Sequence, residues 1–246
     1  MPHLLITVCT YNELDNIRLL IPQLREVAPQ ADVLILDDNS PDGTGQAADE
    51  FAAQDDHVRV IHRPFKLGIG AATLAGFRYG IQHDYELLLN LDADFSHHPR
   101  HIPALLDCVK TCDVSIGSRY VPGGGISGWS WTRHVMSRGV NVYSRLLLGL
   151  KTRDCSGSFR CYRVAKLAEI DWDQTLAMGY AFEEEVLYRC RQVGCTFQET
   201  PIHFEDRRLG RTKISGREVM IAIWMILRLG IQRLTGGKKN SPRGRS

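Results

Sequence analysis

The chain has 246 residues, of which 43% are hydrophobic and 24% charged, and its formal net charge is +2. Those values suit one large α/β domain, or a domain plus a short appendage, with a core that needs no covalent staples. A net charge so near zero gives no argument for a nucleic-acid partner. The seven cysteines, Cys9, Cys108, Cys112, Cys155, Cys161, Cys190 and Cys195, are odd in number and contain no Cys-x-x-Cys. They read as reduced, mostly buried thiols of a cytosolic protein rather than a disulfide framework or a zinc site.

Met1-Pro2-His3 leads directly into Leu4-Leu5-Ile6-Thr7-Val8, with no basic stretch or cleavage site before it, so the run reads as a first strand and not a signal peptide. Strands are expected at Leu4–Cys9, Val33–Leu36, Val58–Ile61, Glu86–Leu91 and Asp113–Ile116. Helical spacing of apolar residues fills Glu13–Val27, Gly43–Ala53, Gly68–Ile81 and Pro99–Val109 between them. Short strands that are nearly continuous in hydrophobicity belong to a sheet covered on both faces, here a mostly parallel, doubly wound one. Ligands of such sheets bind beyond the carboxyl ends of the strands.

Polar residues gather at those ends: Thr10-Tyr11-Asn12-Glu13, then Asp37-Asp38-Asn39-Ser40-Pro41-Asp42-Gly43, then Asp92-Ala93-Asp94. No Gly-x-Gly-x-x-Gly follows the first strand, which argues against a dinucleotide-binding protein; Gly68-Ile69-Gly70 comes too late and lacks the third glycine. Beyond Gly117 the pattern is less regular. Gly117–Trp131 reads as a glycine-rich loop, Arg133–Leu150 as a basic amphipathic helix and Cys195–Phe204 as a late strand. A basic loop runs through Lys213, a helix covers Gly216 to Leu234, and the tail beyond it reads as disordered. From Arg207 onward basic residues far outnumber the one acid, Glu218, which points to an anionic partner.

Two aspartates one residue apart at a strand end can both reach a hard cation such as Mg²⁺ or Mn²⁺, the ion that a nucleotide diphosphate requires. The pattern alone is common, and Asp171-Trp172-Asp173 repeats it without a strand before it, as a solvated turn. Asp92 and Asp94 differ in following Leu87-Leu88-Leu89-Asn90-Leu91. Pro41-Asp42-Gly43 is a turn signal by itself, but it leaves the paired Asp37 and Asp38 unexplained; a carboxylate there can accept hydrogen bonds from a base or a ribose.

Taken in order, these segments resemble the family 2 glycosyltransferases of the GT-A fold, and among them the dolichol-phosphate (polyprenol-phosphate) mannose synthases. The resemblance continues through Lys66-Leu67-Gly68-Ile69-Gly70, Asp92 to Pro99, Gly117 to Val121, Ser156 to Arg163, Gly179 to Phe182, Pro201 to Arg207 and Gly210 to Ser215, so it covers the chain to about Leu234. It implies a GT-A domain over 1–215, an amphipathic helix over 216–234 that meets the membrane interface, and a basic tail over 235–246. It further implies a donor pocket lined by Cys9, Tyr11, Glu13, Leu36, Asp38 and Lys66, and a metal held by Asp92, Asp94 and Ser96. Ser96 stands where the family often has Gln, Cys9 where it prefers Pro, and Cys155 to Arg160 carries one residue more than the family's run, so Ser156 and Ser158 receive no role.

The resemblance assigns Arg119, Arg133, Ser137 and Arg207 to phosphate contacts, with Lys213 in the same late loop, and makes Asp94, Arg119 and Arg207 the catalytic set. A phosphate-monoester acceptor is already anionic near neutral pH, so no general base is required; Asp94 is the candidate only for a hydroxyl acceptor. The expected reaction is inverting transfer of mannose from GDP-mannose to a polyprenyl phosphate. Alternatives are glucose from UDP-glucose on the same fold, or a non-catalytic nucleotide-sugar-binding subunit. Val219–Leu227 is intensely apolar but too short to span a bilayer before Arg228. Trp224 at the interface, Arg228 and Arg233 snorkelling, and Lys238, Lys239, Arg243 and Arg245 in the tail suit an anionic membrane surface; the helix after Trp129 and Trp131 offers a second contact. Peripheral attachment at the cytoplasmic membrane face is therefore expected. Relatives often carry transmembrane segments that this sequence lacks, which leaves room for a separate membrane-anchor subunit.

Overall fold

A computed structural model describes residues 3–177, 179, 181–206 and 216–235. Arg207 and Lys213 lie outside the described residues, as does the tail from 236 onward. The first three strands and helices are β1 (Leu4–Thr10), α1 (Leu14–Val27), β2 (Asp32–Asp37), α2 (Thr44–Gln54), β3 (Val58–His62) and α3 (Ile69–Gln82). β4 (Leu87–Asp92), α4 (Ile102–Cys108) and β5 (Val114–Ser118) follow; all nine lie within one or two residues of the bounds the apolar spacing predicts except α4, which starts three residues late because Pro99–His101 forms a 3-10 turn.

These elements build the expected mostly parallel sheet, of seven strands in the order β3-β2-β1-β4-β7-β5-β8. Here β7 is Arg160–Arg163 and β8 is Phe197–Pro201. Every residue of β1 and β2 is buried, because helices cover both faces. Period-two alternation sends Leu4, Ile6, Val8, Val33, Ile35, Leu87, Leu89 and Leu91 to one core with α1 and α4. Leu5, Leu34, Leu36 and Leu88 face the other core, with α3, α7 (Phe182–Gln192) and α8 (Gly216–Leu234). α3 lies close on the sheet at Gly80, where a Cβ would meet Leu88 Cδ1 at 2.8 Å.

The second half departs from the sequence expectation in four places. β7 runs antiparallel between β4 and β5. It has four residues and a fully buried arginine at its start, so no apolar period marks it. The single late strand expected over Cys195–Phe204 is two: β8 pairs with β5, and β9 (His203–Glu205) pairs with β6 (Gly125–Ser127) in a separate two-stranded sheet. The break falls at buried Ile202, whose amide donates to Ser118 O at 3.1 Å. β6 in turn interrupts the expected glycine-rich loop. α7 is unforeseen because Glu183, Glu184 and Glu185 look like a solvated run, yet all three are buried.

α5 (Trp131–Leu148) begins two residues before the expected start, at an N-cap where Ser130 Oγ accepts the Arg133 amide at 3.3 Å. It ends at Gly149, with φ 66°, which allows the left-handed cap that a Cβ disfavours. α6 (Val164–Ala168) is a short turn of helix after β7. α8 packs on α5: Tyr143 OH donates to Ile223 O at 3.2 Å, and Arg233 Nη1 donates to Leu147 O at 3.0 Å. Among the described residues no helix is long and apolar enough to cross a membrane.

Candidate active site

The loops after β1, β2 and β4 each contain a non-glycine residue with positive φ: Asn12 at 59°, Asn39 at 58° and Phe95 at 63°. The first two are of the type that tolerates this region, whereas Phe95 is bulky and held there against its preference. Three of the four non-glycine residues with positive φ among the described residues thus sit at the carboxyl ends of the central strands; the fourth, Asp84, precedes β4.

At the β1–β2 side the loops brace one another. The Asn12 amide donates to Ser40 Oγ at 3.0 Å, and the Glu13 amide to Thr44 Oγ1 at 3.0 Å. Asp37 and Asp42 are consumed by this bracing: Asp37 accepts from Thr10 Oγ1 and from Ser40, and Asp42 from Thr44 and the Leu14 amide. Asp38 is different. It is buried, and its carboxylate accepts from Arg63 Nη1 at 2.5 Å. Burial still raises its pKa above the usual carboxylate value, with Arg63 opposing. Beside it, Lys66 Nζ stands 3.9 Å from the centroid of the half-exposed Tyr11 ring. Cys9 lies beneath this floor with its thiol 3.8 Å from Thr73 Oγ1, pushed up to about 12 by burial and so a neutral thiol. Leu36 is fully buried in the core below, so its side chain supports the pocket from underneath.

At the end of β4, Asp92 Oδ1 accepts from Ser158 Oγ at 2.8 Å, and Asp94 Oδ1 accepts the Ser96 amide at 3.0 Å. His97 Nδ1 accepts the Asp92 amide at 3.3 Å, and burial lowers its pKa although Asp92 and Asp94 pull the other way. The 3.5 Å approach of His97 to Asp92 Oδ2 is therefore a neutral contact and not an ion pair. The Ser96 hydroxyl is buried without a hydrogen-bond partner. Among the described residues no three His, Cys, Asp or Glu side chains are grouped to hold a metal. Two carboxylates and an orphaned hydroxyl fit an ion that completes its oxygen shell with water and diphosphate, as Mg²⁺ does.

The expected arginine set separates. Arg119 is buried and locked to fully buried Asp154, with Nε–Oδ2 at 2.7 Å and Nη2–Oδ1 at 2.6 Å; Nη2 also donates to Ser156 Oγ at 3.0 Å. Arg119 lowers the pKa of Asp154 below the usual carboxylate value against the effect of burial, and both belong to the field around Asp92 and His97. Its place in the structure is to anchor the 154–158 turn that carries Ser158 to Asp92. Arg133 is only partly buried, 2.8 Å from Asp206 and 4.2 Å from the centroid of the Trp129 ring. Ser137 Oγ lies 2.7 Å from Tyr120 OH on the same helix face.

The sequence reading missed Arg63, Asp154, Ser158 and His97, and also Arg160 with Glu183 and Glu184. Arg160 is fully buried and sits 3.0 Å from Glu183, while both Glu183 oxygens and Glu184 Oε2 lack hydrogen-bond partners. Burial pushes Glu183 up to about 7 and Glu184 to about 8. One signal was available: a buried Asp38 demands a nearby cation.

Residues 5–171 match the family Glycosyl transferase family 2. The chain is 42% identical over 227 residues to an undecaprenyl-phosphate mannosyltransferase of Micrococcus luteus, covering 92% of this chain and 93% of that one. It is 42% identical over 230 residues to a polyprenol monophosphomannose synthase of Mycolicibacterium smegmatis, covering 93% and 87%. Among solved structures, glucosyl-3-phosphoglycerate synthase from Mycobacterium tuberculosis, bound to Mn²⁺, UDP and glucosyl-3-phosphoglycerate, superposes with a TM-score of 0.62 at 15% identity over 94% of this chain and 80% of that one. A mannosyltransferase from Pyrobaculum calidifontis, bound to GDP-Man and Mn²⁺, gives 0.56 at 11% identity over 98% and 76%. The chain belongs to glycosyl transferase family 2 and is a glycosyltransferase. At such low identities the two solved structures speak for the fold.

Proposed function

We propose that this glycosyltransferase transfers mannose from GDP-mannose to a polyprenyl phosphate, with inversion at the anomeric carbon and with Mg²⁺ or Mn²⁺ bound. The observation that carries the reading is the turn after β4, where Asp92, Asp94 and the partnerless Ser96 hydroxyl gather beside the Arg119–Asp154 pair. The names of the two relatives at 42% identity support a mannosyl donor and a polyprenyl-phosphate acceptor. The GDP-Man and Mn²⁺ bound to the Pyrobaculum mannosyltransferase support the nucleotide and the ion.

In this reading Tyr11, Glu13 and Lys66 bound the nucleoside pocket, and Asp38, oriented by Arg63, accepts hydrogen bonds from base or ribose. Asp92 and Asp94 would hold the ion, with Ser96 as a third oxygen directly or through water. When bound, the ion offsets the charge that develops on the departing diphosphate. Arg133 and Ser137, with Arg207 and Lys213 from outside the described residues, hold the acceptor phosphate in line with the anomeric carbon. An acceptor oxygen forms the new bond to that carbon as the carbon–oxygen bond to GDP breaks. The acceptor arrives already ionised, so no side chain has to remove a proton. Exposed apolar residues of α5 and α8, among them Trp131, Leu146, Met220 and Trp224, rest on the cytoplasmic face of the membrane as a peripheral platform.

The test is a donor panel. Purified protein, a short polyprenyl phosphate and labelled GDP-mannose, UDP-glucose or UDP-N-acetylglucosamine are incubated, and label is extracted into organic solvent. Lipid-borne label from GDP-mannose alone is expected. Label from UDP-glucose in its place would give the donor site to a uridine nucleotide.

A further inference from the structure

Beside the Arg119–Asp154 pair, a groove of about 480 Å³ runs between residues 119–124 and α5, with Arg119 itself in its wall. Arg138 and Arg145 enter it from α5 and Arg153 from the loop before β7, and none of the side chains lining it is a carboxylate. All three arginines are exposed, and among the described residues no carboxylate forms an ion pair with any of them. The nearest acid of the neighbouring strand, Glu199, is tied to the amides of Arg153 and Asp154 at 2.7 and 2.9 Å. Three uncompensated cations converging on one concavity make an anion site.

The helix says what kind of anion. At about 100° per residue, Trp131, Val135, Val142 and Leu146 fall on one stripe of α5, and Arg138 and Arg145 line one edge of it. All four apolar residues are exposed, Trp131 at 78% and Leu146 at 73%. α8, packed alongside, adds exposed Met220, Trp224 and Ile231. An apolar stripe bordered by a row of arginines matches an acyl region bordered by phosphates. Arg133 and Ser137, assigned above to the acceptor, lie about 80–140° round the helix from Arg138 and Arg145, with Tyr120 and the paired Arg119 forming the wall between.

We propose that this groove binds the headgroup phosphate of an anionic membrane phospholipid, outside the sugar-transfer site, and so fixes how the protein sits on the bilayer. The inference rests on the reading that α5 and α8 face the membrane. A compact soluble anion would gain little from three exposed arginines, whereas a surface crowded with lipid phosphates gains from each.

The experiment uses the full chain and sedimentation with vesicles of phosphatidylcholine, with and without phosphatidylglycerol. Arg138→Gln with Arg145→Gln should weaken binding to phosphatidylglycerol vesicles by about fivefold per arginine and leave binding to neutral vesicles unchanged. Trp224→Ser should weaken binding to both. If the arginine variant binds like wild type while Trp224→Ser is impaired, the groove is no lipid site and the platform stands. If Trp224→Ser binds both vesicles like wild type, the platform falls and the lipid occupant with it. Inorganic phosphate that displaces the protein from phosphatidylglycerol beyond a chloride control of equal ionic strength would give the groove to free phosphate and overturn the proposal. Sugar transfer to a detergent-dispersed short-chain acceptor should be equal in the arginine variant and wild type; a loss there would make the groove part of the acceptor site and overturn it as well. Both arginines are exposed and, among the described residues, without an ion-pair partner, so a matching thermal melt is expected for the variant.

Discussion

Asp154 shows how much of the site's geometry depends on single buried side chains. It is fully buried, accepts from the Arg119 amide, Nε and Nη2, and receives the Gly157 amide at 3.1 Å. Asp154→Asn would leave Arg119 charged and unmatched, at a cost of about 3–5 kcal/mol in stability. The native pair holds Asp154 below its ordinary value of 3.8, so its contribution is present above that pH and fades as pH falls through the depressed pKa. Urea unfolding at neutral pH should therefore separate variant and wild type, and the two should converge in strong acid. Glu184 carries the opposite sign. Burial raises it from 4.5 to about 8, so the folded state keeps a proton that the unfolded chain releases, and stability falls as pH rises between those values. Glu184→Gln should flatten that slope by at most about 1.4 kcal/mol per pH unit. Parallel curves for the two proteins would show that the carboxyl is not held protonated. Asp38, Asp92 and Asp94 were legible in the sequence because each follows an apolar strand. Arg63 and Ser158, the partners of Asp38 and Asp92, were not, nor was Asp154, the partner of Arg119, since each reaches its partner from 25 or more residues away.

At the scale of elements, the first five strands follow from local pattern alone, because buried parallel strands such as Leu4–Thr10 are apolar throughout. β7 and α7 do not, because their polar residues are buried against one another: Arg160 of β7 needs Glu183 of α7, and neither segment announces itself without the other. The division of β8 from β9 is likewise set by pairing to β5 and β6, which no window of sequence contains. In α5 and at its C-cap, two glycines should respond oppositely to alanine. At Gly149 a Cβ would meet the Arg233 guanidinium at 2.5 Å with φ at +66°, so Gly149→Ala should lower the melting temperature, with about 1–2 kcal/mol from the backbone alone. Gly139 has nothing within 4 Å of its Cβ position, and Gly139→Ala should raise stability by about 0.5–1 kcal/mol. Thermal melts of the two variants give the comparison directly.

For the molecule as a whole, the same sheet supports donors of more than one kind, as the bound UDP and GDP-Man of the two structural neighbours illustrate. This chain combines on one body a two-carboxylate turn, a helix face carrying Arg133 and Ser137, and two helices with exposed apolar residues. Their joint purpose, in the reading proposed, is to bring a water-soluble sugar nucleotide to a lipid phosphate. The most direct test is transfer of labelled mannose from GDP-mannose to polyprenyl phosphate, before and after chelation and with Asp94→Asn. Transfer is expected to stop with chelator, to return on adding Mg²⁺ or Mn²⁺, and to fall at least about a hundredfold in the variant. Undiminished transfer in the presence of chelator, or by Asp94→Asn, would contradict the account.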